Sequence, residues 1–263
     1  YINNIEKIIM KPVCLVLGAG AGIGGTVATK FAAEGYHSCL CRRSDQEGLD
    51  KLVSNIEKAG GSATGYLINA IEDSVLEDLI INIEKEIGPI EVLVYNLGAQ
   101  TGMKLLHETT LKEFEWGWRM ADLGLFRVAK VLMPVMEERG SGTFLVTSAT
   151  AAMRGNKNQH SHAAAMGGRR MLCQSLNAEF ASKGIHVAHI VVDGMVDAPD
   201  TLGKMLGEEL FQQLRETKGM EHDGLILPKS VADTYYYLSQ QHRSAWTHEI
   251  DIRAFTDTAW WNT

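Results

Sequence analysis

The chain has 263 residues, of which 45% are hydrophobic and 22% are charged. This balance is ordinary for a globular protein with a sizeable core. The formal net charge of −7 opposes binding to a phosphate backbone, so nucleic acid is not an expected partner. A membrane-spanning helix is not expected either, because no apolar run reaches about 18 residues.

The first ten residues, YINNIEKIIM, are interpreted as an N-terminal extension. They lack the long apolar core of a signal peptide. The chain starts with Tyr1, and two explanations stay open: Met10 is the native start, or Tyr1 follows a processed leader. The four cysteines have no C-x-x-C spacing. This favours the cytoplasm or another reducing compartment and leaves organellar import open.

Short apolar or β-branched runs alternate with segments of helical length along the chain. The predicted strands are VCLVL (13–17), HSCLC (37–41), ATGYLI (63–68), EVLVY (91–95), TFLVTS (143–148) and IHVAHIVV (185–192). The predicted helices span 24–34, 45–59, 73–87, 109–136 and 158–183. This alternation is typical of a parallel sheet with helices on both faces. The predicted fold class is therefore α/β, a doubly wound Rossmann fold.

One domain is predicted for residues 11–255, since no linker or change of composition divides them. Residues 193–229 stand out as a long irregular excursion with one short helix, LGKMLGEELFQQLRE (202–216). A substrate lid and a plain surface excursion both fit this segment. Residues 256–263 form a C-terminal tail. Its AWW end (259–261) is expected to be exposed unless it docks on a neighbour.

A glycine-rich loop, LGAGAGIG (17–24), follows the first predicted strand and opens the first predicted helix. Glycines here let the backbone approach a pyrophosphate, whose charge the helix N-terminus stabilises. Two registers of the glycine motif fit: Gly18-x-x-x-Gly22-x-Gly24 and Gly20-x-Gly22-x-x-Gly25. The first is favoured because the predicted strand ends at Leu17. The loop predicts nucleotide binding.

The end of the second predicted strand indicates which nicotinamide cofactor is bound. An acidic residue there holds the ribose 2′-hydroxyl of NAD(H), whereas arginine accommodates the 2′-phosphate of NADP(H). The chain reads CLCRRSD, with Arg42 and Arg43 at this turn. Asp45 comes later and is interpreted as a helix cap. NADP(H) is the predicted cofactor, ahead of NAD(H), and two solvated surface charges are the alternative reading.

The order of these features resembles the short-chain dehydrogenase/reductase family from about residue 11 to residue 255. The loop residues that match its G-x-x-x-G-I-G element are Gly18, Gly22, Ile23 and Gly24. Asn69 stands where the family carries an Asp beside the adenine ring. YNLG (95–98) resembles the family's N-N-A-G element and retains Asn96 and Gly98.

Two later segments extend the resemblance. DGMVDAP (193–199) is similar to the family's P-G-x-x-x-T segment, with Asp193 for Pro and Ala198 for Thr. The tail SAWTHEIDIRAF (244–255) resembles a bacterial branch of the family. The resemblance implies a seven-stranded parallel sheet, with its last strand near 248–252.

The resemblance also implies four polar catalytic groups: a Tyr, a Lys four residues later, a Ser thirteen residues before the Tyr, and an earlier Asn. Aligning HAAAM (162–166) with Tyr-x-x-x-Lys places His162 at the Tyr position and Met166 at the Lys position. Ala149 then stands at the Ser position. Ala121, in ADLG (121–124), stands at the Asn position. The chain is thus interpreted as an atypical member that lacks the usual Asn-Ser-Tyr-Lys tetrad.

His162 and Thr150 are the candidate catalytic residues. An imidazole exchanges protons near neutral pH without a lysine beside it, so His162 could replace the tyrosine. Ser148 and Thr150 flank the vacant serine position, but strand side chains alternate between faces, so neither fills it without a bulge. The alternative reading is a histidine that points at a vacated pocket.

A metal site is not predicted. On a helix, His160 and His162 would point about 200° apart, and no nearby acid or cysteine completes a set of ligands. His186 and His189 point to opposite faces of a predicted strand.

The aromatic stretch FEWGW (114–118) has Phe114 and Trp118 at i, i+4 spacing, which predicts one buried stripe. Packing in the core of this chain is one reading. A helical contact between subunits, which the resemblance implies, is the other. A homo-oligomer, either dimer or tetramer, is expected, and membership of a larger assembly stays open.

Three functions fit an intact nucleotide loop beside missing catalytic groups. The first, which we prefer, is an NADP(H)-dependent oxidoreductase of a small carbonyl or alcohol substrate, since the hydride chemistry belongs to the cofactor. The second is a catalytically inactive, cofactor-binding protein with a structural or sensing role. The third is a repurposed pocket for isomerisation or cyclisation, because fold alone does not decide function.

Overall fold

The computed structural model describes residues 10–98 and 103–262. Most of the predicted N-terminal extension, residues 1–9, and the last residue of the tail lie outside this part. The strands are β1 (Val13–Leu17), β2 (His37–Arg42), β3 (Ser62–Leu67), β4 (Ile90–Tyr95), β5 (Gly142–Ala149), β6 (Ile185–Val192) and β7 (Glu249–Ile252). They form one seven-stranded sheet in the order β3-β2-β1-β4-β5-β6-β7, and every neighbouring pair is parallel. The predicted doubly wound fold is confirmed.

Helices cover both faces of this sheet. They are α1 (Ile23–Ala33), α2 (Gln46–Lys58), α3 (Val75–Glu86), α4 (Leu111–Trp118), α5 (Gly124–Arg139), α6 (His160–Phe180), α7 (Lys204–Leu206), α8 (Glu208–Lys218) and α9 (Pro228–Ser239). One apolar cluster joins the sheet to α3, α5 and α6, and a second joins its other face to α1, α2 and α9. All five side chains of β1 are buried, as a strand covered on both faces requires.

The predicted single helix over 109–136 is wrong, because the chain widens into a π-helical turn at Arg119–Leu123 between α4 and α5. Two side chains from elsewhere draw the helical carbonyls away from their usual partners. The hydroxyl of Tyr95 donates to the carbonyl of Met120 at 2.5 Å, and Nε of Arg169 donates to the carbonyl of Ala121 at 3.3 Å. Inserted groups of this kind are a known cause of π-turns and kinks.

The predicted helix over 202–216 is also divided. Gly207 has φ +84°, a left-handed value that glycine adopts readily, and it separates the short α7 from α8. Leu202, Phe211 and Leu225 form a small apolar cluster of their own within the 193–229 segment. The segment is therefore packed rather than irregular, although it lies outside the two main clusters.

The C-terminal tail docks on its own chain, so the expectation that AWW is exposed is wrong for Ala259 and Trp260, whereas Trp261 is 56% exposed. Ala259 is buried. The backbone N–H of Trp260 donates to the carboxylate of Asp193 at 3.0 Å, and its indole N–H donates to Asp251 at 2.8 Å. Arg154 donates to the carbonyl of Trp260 at 2.6 Å. The tail thus covers the carboxyl ends of β6 and β7.

Phe114 and Trp118 do not form a buried stripe within the chain. Their exposed fractions are 44% and 47%. The core reading of this aromatic pair is wrong, and the contact between subunits stays a prediction.

Candidate functional site

The cavities that contain the predicted site residues lie at the carboxyl ends of β1, β4 and β5, where the strand order reverses. Ligands of open α/β sheets bind at this point. Two adjoining cavities open there, of about 310 and 300 Å³. We call the first, which contains Asn96, Ser148 and His162, the inner cleft, and the second, which contains Arg42 and Asn69, the outer cleft. Gly18, Gly20, Leu97 and Thr201 line both.

The glycine loop forms the floor between the two clefts, and its geometry favours the first register of the motif. A methyl group on Gly18 (φ +95°) would lie 2.6 Å from the carbonyl oxygen of Asn96. A methyl group on Gly24 would overlap the carbonyl oxygen of Gly18. By contrast, a methyl group on Gly20 would meet nothing within 4 Å. Gly18 and Gly24 therefore have no room for a methyl group, and neither does Gly25, whereas Gly20 of the second register does.

Asn96 fixes this loop. Its side-chain amide donates to the carbonyl of Gly18 at 2.9 Å, and its backbone N–H donates to Leu17 at 2.9 Å. Helix α1 begins at Ile23, directly behind the loop, so its N-terminal N–H groups face the cavity. Gly22, Ile23 and Gly98, for which cofactor contacts are predicted, line the inner cleft. A cradle without side chains, closed by a helix N-terminus, fits the pyrophosphate of a dinucleotide.

The outer cleft is lined by Arg42, Arg43, Ser44 and Asn69. Asp45 caps α2, as predicted, by accepting from the N–H of Gly48 at 2.9 Å. It also pairs with Arg42 at 2.9 Å. Of the described residues that line this cleft, none is acidic. The donor set fits a 2′-phosphate better than a free 2′-hydroxyl.

Three of the four residues that the family resemblance aligns with the catalytic tetrad line the inner cleft. His162, Met166 and the end of β5 at Ala149 line the inner cleft. Ala121 is fully buried behind it. Met166 is also buried, and the Ser148 hydroxyl donates to its sulfur at 3.9 Å. This wall of the cleft is therefore largely apolar.

Thr150 is not among the described residues that line the inner cleft, whereas Thr147 and Ser148 are. The Thr147 hydroxyl is engaged with the phenol of Tyr235 at 2.6 Å, and burial raises the pKa of that phenol. Of the two hydroxyls beside Ala149, the structure places Ser148 in the cleft. Strand alternation had argued against both. The buried Arg169 also lines it and was missed, since no motif marks it.

Asp122 is buried next to this wall, in the π-helical turn. Burial raises the pKa of its carboxyl to about 6. Its Oδ2 atom has no hydrogen-bond partner within the described residues. In the folded chain the neutral, protonated form of the carboxyl therefore persists up to a pH of about 6.

Asp122→Asn is expected to stabilise the protein progressively as the pH rises from about 4 to 6. The folded-state pKa lies above the ordinary value of 3.8, so wild type loses stability as pH rises through this window, by up to about 3 kcal/mol. Denaturant unfolding of both proteins from pH 4 to 8 measures the difference. Taking the difference between the two proteins cancels the contribution of His189. Burial lowers the pKa of this histidine to about 4. Asp50→Asn, at an exposed site, is the control; a flat difference for Asp122→Asn would contradict the assignment.

The two histidines of β6, His186 and His189, have structural partners. His186 stacks on Trp246 at 5.0 Å between ring centroids and contacts the carbonyl of Thr247 at 2.8 Å. His189 contacts Glu249 at 3.1 Å. Within the residues that the structure describes, no three His, Cys, Asp or Glu side chains are grouped to hold a metal ion. None of the helices in that part has the length and apolar character of a membrane span.

Comparison with known proteins agrees with this geometry. A family model described as short chain dehydrogenase matches residues 12–205. The 3-oxoacyl-[acyl-carrier-protein] reductase FabG of Thermotoga maritima is 26% identical over 242 residues, which cover 90% of this chain and 94% of that protein.

Solved structures give the same result. A short-chain dehydrogenase from Rhodopseudomonas palustris is 32% identical with a TM-score of 0.76, and the match covers 93% of this chain and 99% of that one. A metagenomic short-chain oxidoreductase in complex with NADP shares the fold at 19% identity and a TM-score of 0.76, over 94% and 98% of the two chains. The protein therefore belongs to the short-chain dehydrogenase family of oxidoreductases.

Proposed function

We propose that this protein is an NADP(H)-dependent oxidoreductase of a small carbonyl or alcohol substrate whose active site lacks the family's usual tetrad. The observation that carries the proposal is a pair of adjoining cavities that share the glycine loop as part of their lining. The outer cleft contains Arg42 and Arg43, and the inner cleft contains His162. A dinucleotide laid along both clefts has its phosphates on the loop and its reactive end beside an imidazole.

The cofactor assignment is supported by the charges of the outer cleft. Arg42 and Arg43 offer guanidinium groups to a 2′-phosphate, and Asn69 offers an amide beside them. NAD(H) remains the second choice, because guanidinium groups do not replace the carboxylate that binds a free 2′-hydroxyl. Structures of this fold have been solved with NADP and with NADH, so the charges of the outer cleft carry the choice.

When bound, the nicotinamide supplies the hydride chemistry. His162 is proposed to exchange the proton, because it is the side chain of the inner cleft that does so near neutral pH. Ser148 takes the place of Thr150 as the proposed donor to the substrate carbonyl, since it lines the cleft and Thr150 does not. The 193–229 segment is the proposed lid, since Val196, Ala198 and Thr201 line the same cavity.

A cofactor-binding protein without turnover is the second candidate. The observation in its favour is the apolar wall, in which Ala149 and Met166 occupy the positions of a hydroxyl and an amine. A missing general acid typically costs 10²–10⁴-fold in rate. The two candidates therefore share the cofactor site and differ in whether His162 sustains catalysis.

The test of the proposed function is consumption of NADPH and of NADH in the presence of a panel of small ketones and aldehydes. We expect turnover with NADPH and weaker turnover with NADH. Arg43→Ala is expected to raise the KM for NADPH by about 10- to 100-fold, the usual effect of losing a charge-assisted hydrogen bond, and to leave the KM for NADH unchanged. Lys51→Ala, an exposed cation on α2, is the control.

Turnover that prefers NADH, or an Arg43→Ala variant that weakens both cofactors equally, would contradict the NADP(H) assignment. Tight binding of NADPH without turnover on any compound would favour the second candidate.

A further inference from the structure

Arg169 is a buried cation whose hydrogen-bond partners differ in kind from those of Arg127 and Arg170. It lies on α6, one helical turn after Met166, and only 1% of its surface is exposed. Its guanidinium donates to the carbonyl oxygens of Thr147 at 2.7 Å, Leu97 at 2.8 Å and Ala121 at 3.3 Å. These contacts use three of its five N–H groups.

No carboxylate of the described residues forms an ion pair with Arg169. Its neighbour Arg170 binds Glu249 through two hydrogen bonds, at 2.6 and 2.8 Å. Arg127 binds Glu77 in the same two-pronged way. The buried Asp122 interacts electrostatically with Arg169 but forms no ion pair with it, and burial raises the pKa of its carboxyl to about 6, so this acid is neutral below that pH and ionised above it. Below pH 6 the positive charge of Arg169 is therefore balanced by carbonyl dipoles and by the ring face of Tyr95, 5.1 Å away.

This charge lies at the wall of the inner cleft. Arg169 lines the cavity together with Met166, Ser148 and His162, and it is the permanently charged side chain among the described residues of that lining. A charge without an ionic partner is costly to bury unless another group compensates it. An anion in the cleft would provide that compensation, in a low-dielectric surrounding where the attraction is strong.

We propose that Arg169 makes the inner cleft a site for carbonyl compounds that carry a carboxylate. This proposal rests on the proposed function for the carbonyl and adds the charge of the substrate. Arg169 also occupies the neighbourhood of the missing lysine amine, since Met166 leaves that position without a cation. It therefore acts as a positioning residue that supplies positive potential from behind the cleft wall.

The experiment measures equilibrium binding of 4-oxopentanoate and of its uncharged methyl ester by ligand-observed NMR, with an excess of NADP+ so that neither ketone is reduced. Wild type is expected to bind the anion at least about tenfold more tightly than the ester, as for a hydrogen bond or close contact to a charged group. Arg169→Met is expected to lose this preference, and Arg169→Lys to retain part of it.

Arg170→Met is the matched control, because it removes the next arginine of the same helix and its ion pair without changing the charge of the cleft. The double variant Met166→Lys/Arg169→Met returns a cation one turn earlier and is expected to restore the preference for the anion. A purely structural role of Arg169 would lower the affinity for anion and ester together and would not be rescued by this relocation.

Equal binding of anion and ester by wild type would overturn the proposal, even if Arg169→Met failed to fold. An unchanged preference in a folded Arg169→Met variant would also overturn it. A preference for the anion without any turnover on the ketone panel would uphold this inference and count against the proposed function, so the two failures are distinguishable.

Discussion

Gly24→Ala is expected to abolish nucleotide binding. The new methyl group would overlap the carbonyl oxygen of Gly18 and lie 2.9 Å from the side-chain amide of Asn96. Both are parts of the loop floor that hold each other through the 2.9 Å hydrogen bond from Asn96 to Gly18. Backbone atoms must therefore move, and the cradle loses the shape that a pyrophosphate needs. We expect the Kd for NADPH to rise by at least about 100-fold, since such overpacking costs about 1–3 kcal/mol before any contact with the ligand is lost.

Gly20→Ala is the matched control in the same loop. A methyl group there meets nothing within 4 Å, and Gly20 does not have a positive φ. Its affinity for NADPH is expected to stay within a few-fold of wild type. Fluorescence titration with NADPH on both variants, after circular dichroism has verified that they fold, measures the contrast. Equal affinities of the two variants would refute the first register of the motif.

His162→Ala is expected to lower kcat by about 10²–10⁴-fold, the range for a positioned general acid or base, with little change in the affinity for NADPH. The imidazole lines the inner cleft, and none of the nearby tetrad positions offers a second group that exchanges protons. His160→Ala is the control, because His160 lies two residues earlier on α6, is exposed and does not line the cleft.

Restoring the polar groups tests the same site from the opposite direction. The triple variant Ala149→Ser/His162→Tyr/Met166→Lys places a hydroxyl, a phenol and an amine at the three positions around the cleft. We expect its kcat to exceed that of His162→Ala.

Turnover that is unaffected by His162→Ala would contradict a catalytic role of the histidine. The proton would then be exchanged by Ser148 or by the substrate itself.

The sheet was predictable from sequence because its strands are covered on both faces. Such strands read as short, continuous apolar runs, and glycines with positive φ such as Gly35 and Gly60 mark the ends of the helices between them. The division between α4 and α5 was not predictable, because its cause lies elsewhere in the chain. The hydroxyl of Tyr95 and the guanidinium of Arg169 take carbonyls of the π-helical turn, and local periodicity carries no trace of these contacts.

The parts of the candidate site that the backbone forms could be predicted from the sequence. The side chains that line the inner cleft were harder to predict, because their directions depend on the folded chain. Gly18 and Gly24 follow from the loop motif, and Arg42 follows from its place at the end of β2. Strand alternation argued against both Ser148 and Thr150 at the serine position, but β5 ends at Ala149 and its last residues, including Ser148, line the cleft. Arg169 was missed because a buried, unpaired cation has no sequence signature.

Equilibrium titration of the wild-type protein with NADPH and NADH tests most directly whether the cleft still holds a phosphorylated dinucleotide. Saturable binding of one NADPH per chain, at least about tenfold tighter than NADH, is the expected result, because Arg42 and Arg43 line the cleft in which we propose that the 2′-phosphate binds. Absence of saturable binding for both nucleotides would contradict it.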